Sequence, residues 1–214
     1  MNPRRILVVI GHPIADSFNH HLARAYAEAA TSAGAEVRVR DLSAEQPAVP
    51  SSREQLRARP GAYEHLEPVV AADLTDLHWA EHIVIVYPQW WGTYPAVLTA
   101  WIDRTFLAGD AFRYLASPRW SKQLTGRTAR LVMTMDSPGF YNLLAYRDAA
   151  VTALRSATLG YCGVKTVGVS RFGPVRDSSP ERRERWLHAI AARGATDGGV
   201  PGSQPATVLA ATAG

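Results

Sequence analysis

Residues 82–107 read HIVIVYPQWWGTYPAVLTAWIDRTFL, and the succession of residue types there decides the fold. Ile83 to Val86 is a β-branched run, too short for a helix and suited to a buried strand. Tyr87-Pro88 stops it. The loop that follows carries two adjacent tryptophans, Trp90 and Trp91, and then Gly92. Thr93 can cap a helix whose first turn tolerates Pro95. Val97, Leu98, Trp101, Ile102, Thr105 and Phe106 then recur at helical spacing as one apolar stripe. The stretch is strand, loop, helix, and loops at the carboxyl ends of strands in open α/β sheets are where ligands sit. Two readings of this rigid aromatic loop stand side by side. Either Trp90 and Trp91 pack a strand end, or they cover a flat ring whose edge takes hydrogen bonds from loop N–H groups.

The alternation continues in both directions. Ile6 to Ile10 is a first buried strand. Residues 18–33 form a helix with Leu22, Tyr26, Ala29, Ala30 and Ala33 on one face and Gly34 at its end. Val37 to Val39 is a second strand, closed by Asp41-Leu42. Residues 43–66 are rich in Pro, Arg and Ala and have no period; they make a long connection, of a length that is often functional, with one helical turn. A helix over 67–79 starts near Pro68. On the other side, 108–127 is an irregular excursion holding Phe112, Tyr114 and Trp120. Ala129 to Met135 is a fourth strand, 141–159 a helix, and Val164 to Val169 a fifth strand. Ser179-Pro180 opens a last helix that buries Trp186, Leu187 and Ile190 and ends near Gly194. Residues 194–214 lack any period and read as a flexible C-terminal tail, which leaves one domain over 1–193.

Five strands alternating with helices imply an α/β fold: a doubly wound, five-stranded parallel sheet with helices on both faces. The dinucleotide-binding version would carry G-x-G-x-x-G after the first strand. Here that loop is Gly11-His12-Pro13-Ile14-Ala15-Asp16-Ser17-Phe18-Asn19, with one glycine, and a Walker A lysine is also missing. The expected strand order is therefore the flavodoxin-like 2-1-3-4-5.

Composition narrows the function classes. The chain has 214 residues, 47% of them hydrophobic, which suits one ordinary domain with a full core and excludes disorder as a whole. A net charge of +4 is mild and scattered, so nothing in the pattern calls for nucleic acid. The single cysteine, Cys162, rules out an intramolecular disulfide and a cysteine zinc site, and it reads as a small buried residue. No signal-peptide pattern is visible, and no apolar run reaches the roughly 18–20 residues of a membrane span, so no membrane insertion and a cytoplasmic location are expected. His12, His20 and His21 invite a metal reading, but His20 and His21 are adjacent on a helix and point to different faces, so no metal is expected.

The first loop has a chemical use of its own. Ser17 and Asn19 supply donors at a helix N-terminus, where free N–H groups and the helix dipole favour an anion, and His12 adds another. A phosphate monoester fits there without a lysine. The plainer reading makes Asp16 and Ser17 ordinary caps and His12 a surface histidine.

Taken together, Gly11-His12-Pro13 with Ser17-Phe18-Asn19, Tyr87-Pro88-Gln89-Trp90-Trp91, Pro95-Ala96 and Trp101-x-Asp103-Arg104 resemble the flavodoxin-like NAD(P)H:quinone oxidoreductases. That group includes bacterial drug-activity modulators and ancillary subunits of potassium-efflux systems. The resemblance spans about residues 5–193. It implies that His12, Ser17, Phe18 and Asn19 hold a flavin phosphate and ribityl chain, and that Pro88, Gln89, Trp90, Trp91 and Gly92 line the isoalloxazine ring. The family's third loop, usually Thr-Thr-Gly-Gly followed by a tyrosine, corresponds to Thr134, Met135, Asp136 and Ser137, with Tyr141 as the tyrosine and candidate catalytic residue. Here Asp136-Ser137 replaces the glycine pair, and Arg147 stands near where mammalian relatives carry a histidine.

What the resemblance implies is an NAD(P)H dehydrogenase (quinone)-like enzyme. It would take hydride from NADPH or NADH through flavin N5 to a quinone or similar electrophile, with ping-pong kinetics. FMN is expected, with FAD as the alternative, because no adenine site can be named. Loop N–H groups near Gln89–Gly92 and residues 135–137 would face the reduced ring. Tyr141 would hydrogen-bond the ring or the acceptor oxygen, or else simply pack on the core. A homodimer is expected, from the aromatic surplus of the excursion and from the resemblance. The alternative function is a flavin-binding regulatory subunit with a membrane transporter as partner. A flavodoxin-type electron carrier would usually be strongly acidic, and this chain is basic.

Overall fold

The computed structural model describes residues 2–202 except Ser117. The β-branched runs form the central strands. β1 (Arg5–Ile10), β3 (His82–Pro88) and β6 (Thr128–Thr134) are buried along almost their whole length. β2 (Glu36–Asp41) and β7 (Lys165–Phe172) are the half-exposed edges. All pair in parallel in the order β2-β1-β3-β6-β7, which is the expected 2-1-3-4-5.

Alternation along the strands divides the core in two. Leu7, Val9, Ile83, Ile85 and Leu131 pack with Leu77 of α2 (Pro68–Trp79) and with Leu98 and Trp101 of α3 (Ala96–Thr105). Ile6, Val8, Val84, Val86 and Val132 pack on the other face, with Leu22 and Tyr26 of α1 (Phe18–Ser32) and Ile190 of α6 (Pro180–Gly198). A smaller cluster of Ala58, Leu66, Val70, Leu74 and Leu107 sits under the long connection. That connection contains one 3-10 turn, Glu54–Leu56. It is tied down by fully buried Arg104, which donates to Ala48 O at 2.9 Å and pairs with Glu67.

Several elements differ from the sequence expectation. α3 begins at Ala96 with Pro95 at its cap. Thr93 does not cap it but exchanges backbone hydrogen bonds with Trp90 at 2.9 and 3.0 Å. The excursion contains a short antiparallel hairpin, β4 (Phe112–Tyr114) and β5 (Trp120–Lys122). Its aromatics partly cover one another: Trp120 stacks on Tyr161 at 4.8 Å, and Phe112 meets Tyr114 and Tyr161 edge-on.

The helix expected over 141–159 is two pieces. α4 (Gly139–Leu144) ends, Arg147 and Asp148 turn the chain at φ 50° and 54°, and α5 (Ala149–Thr152) continues as π-helical turns through Gly160. α6 does not stop near Gly194. A Cβ at Gly194 would lie 2.3 Å from Tyr26 O, and one at Gly198 would lie 2.4 Å from Ala30 O. These glycines serve the close crossing of α6 over α1 rather than a helix stop. Residues 194–198 of the expected tail are thus helical, and its residues 203–214 lie outside the described residues. Among the described residues no helix is long and apolar enough to cross a membrane.

Candidate functional site

The loops after β1, β3 and β6 meet the loop after β7 at the carboxyl end of the sheet. Between them is a cleft of about 310 Å³. Its wall is formed by His12, Ser17, Phe18 and Asn19 from the first loop, Pro88, Gln89 and Trp90 from the second, and Thr134, Met135 and Asp136 from the third. Val175 and Arg176, which the sequence did not single out, complete it. Trp91, Gly92, Ser137 and Tyr141 stand outside the wall.

Side chains at this site mostly hold the loops, and backbone N–H groups are left facing outward. Asn19 and Thr134 are both buried and exchange two hydrogen bonds, at 3.0 and 3.2 Å, which join the first loop to the third. The Ser17 hydroxyl lies 2.8 Å from His20 Nδ1, while His20 Nε2 lies 3.1 Å from Asp41 Oδ1. The carboxylate makes Nε2 a donor, and Ser17 is held to Nδ1 on the other side of the ring. Burial would raise Asp41, but hydrogen bonds from the Ser43 hydroxyl, the Ser43 N–H and His20 outweigh it and hold the carboxyl below its ordinary value. Ser17 and Asn19 are therefore not the free side-chain donors expected of them.

The donors are the N–H groups of Phe18 and Asn19. Neither has an acceptor among the described residues, and the first turn of α1 holds no acidic side chain. That leaves a positive helix end aimed into the cleft. His12 adds to it. Its Nδ1 lies 3.1 Å from Ile14 N and 3.0 Å from Ile14 O, and its ring meets Trp90 edge-on at 5.6 Å. Burial lowers its pKa, so the imidazole is neutral at pH 7.

A second row of donors comes from the other loops. The N–H groups of Gln89, Trp90 and Met135 are spent on Thr134 O, Thr93 O and Phe172 O. Those of Trp91, Gly92, Asp136 and Ser137 have no acceptor among the described residues. Trp91 sits at φ 52° with its indole fully exposed, a left-handed backbone that costs a non-glycine residue roughly 1–2 kcal/mol. Gly92 follows at φ 75°. The tryptophan-packing reading therefore fails for Trp91, which covers nothing in the core.

Gln89 anchors a network that the sequence concealed. It donates to Asn142 Oδ1 and accepts from the Ser137 hydroxyl at 3.3 Å. Asn142 in turn donates to Asp148 at 2.8 Å, and Asp148 pairs with Arg171. Burial would raise Asp148, but hydrogen bonds from Arg171 and Asn142 outweigh it and hold the carboxyl below its ordinary value. Tyr141 is about half exposed on α4 and meets Tyr146 edge-on at 5.2 Å. His20 turns to Asp41 and His21 to Asp16, and among the described residues no cluster of His, Cys, Asp and Glu could hold a metal ion. Cys162 is buried, and burial pushes its thiol up to about 12.

Two larger cavities, about 560 and 520 Å³, flank the β4–β5 hairpin. Neither is lined by any of the three loops. The smaller cleft is the better candidate because free donors converge there at the strand ends.

A family model described as the flavodoxin-like fold matches residues 4–194. The chain is similar to NAD(P)H dehydrogenase (quinone) 1 of Rattus norvegicus, 24% identical over 205 residues that cover 87% of this chain and 75% of the rat protein. It is 28% identical to a ribosyldihydronicotinamide dehydrogenase-like protein of Penicillium crustosum over 152 residues, 61% of this chain and 57% of that protein. Among solved structures, an NAD(P)H:quinone oxidoreductase from Methanothermobacter marburgensis superposes with TM-score 0.76 at 20% identity, covering 90% of this chain and 98% of that one. An FMN-dependent NADH-azoreductase from Bacillus anthracis, solved with FMN, gives TM-score 0.71 at 16% identity, covering 91% and 99%. At those identities the two structures share this chain's fold.

Proposed function

The chain belongs to the flavodoxin-like NAD(P)H:quinone oxidoreductase family, and on that premise we propose that it is a flavin-dependent reductase taking hydride from NADPH or NADH to a quinone or similar electrophile. The observation that carries this reading is a cleft at the strand ends with unspent N–H groups of Phe18, Asn19 and Asp136 on its wall and those of Trp91, Gly92 and Ser137 on the same loops just outside it. Those of Phe18 and Asn19 suit a phosphate at a helix N-terminus. Those of Trp91, Gly92, Asp136 and Ser137 suit the polar edge of a flat ring.

In this reading His12 and the α1 N-terminus hold the phosphate, and Phe18, packed on Trp186, walls the ribityl chain. Pro88, Gln89 and Trp90 border the ring on one side; Thr134, Met135 and Asp136 border it on the other. When bound, the flavin supplies hydride acceptance and donation, and the chain supplies orientation and electrostatics. The N–H groups of Trp91, Gly92, Asp136 and Ser137 would offer hydrogen bonds to negative charge at the ring's polar edge. A single cleft serves the nicotinamide and the acceptor in turn, which gives ping-pong kinetics. Tyr141, half exposed on α4 outside the wall, would donate a hydrogen bond from its phenol to the acceptor oxygen. FMN is favoured over FAD, because the phosphate site accounts for all of FMN and no adenine site is evident in the wall. The FMN named for the Bacillus anthracis relative agrees. No observation favours the transporter-subunit alternative.

A homodimer is part of the proposal, now on different support. The excursion's aromatics shield one another in part, whereas Phe140, Leu143 and Leu144 of α4 are 69, 62 and 74% exposed beside the cleft.

Steady-state oxidation of NADPH and NADH by flavin-loaded protein with a small quinone tests the activity. Turnover with parallel double-reciprocal plots is expected. No turnover with any of several quinones, with flavin bound, would overturn it.

A further inference from the structure

The two cavities beside the β4–β5 hairpin adjoin at Arg57, Ala108 and Tyr114, and together they are called the trough. Its two parts differ in character. The part against α3 and the π-helical turns is mainly apolar, with Leu56, Ile102, Phe112 and Tyr161 on its wall, and it also holds Arg53 and the carboxylate of Asp103. The part against the long connection is basic, with Arg57, Arg59 and Arg113 set against one acid, Glu64.

The frame of the trough is built rather than incidental. Ala58 N–H donates to Ala108 O at 3.2 Å, and Tyr63 O–H donates to Asp110 at 2.8 Å. Fully buried Asp110 is completed by His78 at 2.8 Å, so this carboxylate is spent on the frame. Trp120 Nε1 and Lys122 Nζ donate to Tyr161 O and Gly160 O and fix the hairpin wall. Four arginines elsewhere in the fold have a carboxylate partner: Arg38 with Asp76, Arg40 with Asp73, Arg104 with Glu67, Arg130 with Asp197. Among the described residues none of Arg57, Arg59 and Arg113 has a carboxylate within ion-pair distance.

We propose that this trough is a second binding site, for an amphipathic organic anion. The apolar body would lie along Leu56, Ile102 and Phe112, and the carboxylate, sulfonate or phosphate head among Arg57, Arg59 and Arg113. Guanidinium groups suit such heads because their planar forks donate two hydrogen bonds at once. The inference is independent of the flavin reading.

The test is fluorescence titration of the full chain with 8-anilinonaphthalene-1-sulfonate, which has both an aromatic body and a fixed negative charge. One saturable site per chain is expected. Arg59→Ala/Arg113→Ala should weaken it at least about tenfold, the scale of 1.4 kcal/mol, while the circular dichroism spectrum and flavin binding stay as in the wild type. The neutral analogue N-phenyl-1-naphthylamine should bind at least about tenfold more weakly than the sulfonate. The proposal is overturned if no saturable site is found, if the double variant or the neutral analogue binds as well, or if Ser17→Asp in the other cleft abolishes the signal.

Discussion

Asp136 occupies the place where the related third loop usually has glycine. The side chain is tied to Arg176, also on the cleft wall: Oδ1 accepts Arg176 N–H at 2.8 Å, and Oδ2 lies 3.6 Å from the Arg176 guanidinium. The partner lies 40 residues away in the chain rather than within the loop itself. Asp136→Asn should therefore lower stability by about 1 kcal/mol or less, since the pair is half exposed. The two-electron potential of bound flavin should move by less than about 30 mV, which corresponds to roughly 1.4 kcal/mol. Denaturant titration and spectroelectrochemistry read these two effects; a clear rise in potential with unchanged stability would mean that the carboxylate faces the ring. Residues such as His12, Asn19 and Gln89 were legible in the sequence because loop position marks them. Asn142, Asp148 and Arg171 were not, because nothing local shows that a chain from Gln89 runs through them. For the same reason Ser17 and Asn19 were legible as site residues while their engagement with His20 and Thr134 was not.

At the scale of elements, the buried apolar runs of β1, β3 and β6 and the stripes of α1 and α3 announced themselves through their periods. The three-residue strands of the hairpin could not, since half-exposed runs that short carry no period. The end of α6 was misread because Gly194 looks like a stop signal, and only the crossing of α1 shows its purpose. Gly194→Ala would drive a methyl into the Tyr26 carbonyl and should cost about 1–3 kcal/mol. The same helix end carries Asp197, which accepts hydrogen bonds from Tyr26 at 2.7 Å and Arg130 at 2.6 Å and faces His82. Burial would raise this carboxyl, but the hydrogen bonds from His82, Arg130 and Tyr26 outweigh it and hold it far below its ordinary value. Removing its charge in Asp197→Asn should cost about 3–5 kcal/mol at pH 7, as for other broken buried pairs. The pH dependence has a definite sign. A depressed carboxyl contributes stability in full above its unfolded pKa of about 3.9 and loses it progressively as pH falls below that value toward the much lower folded pKa. Burial also lowers His82 and His12, so each contributes stability above about 6.5 that fades as pH falls. Denaturation midpoints should thus decline gently below pH 6.5 and steeply below pH 4, and the steep limb should flatten in Asp197→Asn. A midpoint unchanged down to pH 3 in the wild type would contradict this.

For the molecule as a whole, the doubly wound sheet brings four loops to one edge and leaves α4, with its exposed phenylalanine and leucines, beside them. Sedimentation of flavin-loaded protein at micromolar concentration should give a dimer, and Leu143→Asp/Leu144→Asp should shift it toward monomer; a wild-type monomer would refute that part of the account. Strand order followed from sequence because only two doubly wound orders compete, and the first loop lacks the glycines of one. The trough at the hairpin did not, because it is made by residues from the long connection, α3 and the hairpin, none with a periodic signal. The central claim is that the N-terminus of α1 holds the phosphate of a flavin, and one titration tests it most directly. Cofactor-stripped protein is titrated with FMN, following flavin fluorescence, in the wild type and in Ser17→Asp. The account predicts one FMN per chain in the wild type. In the variant it predicts a loss of roughly 100-fold or more, about 2.7 kcal/mol, from the like charge beside the phosphate. Folding stability should be unchanged or raised, because aspartate is a good helix cap. Equal FMN affinity in the two proteins, or no binding by the wild type, would contradict it.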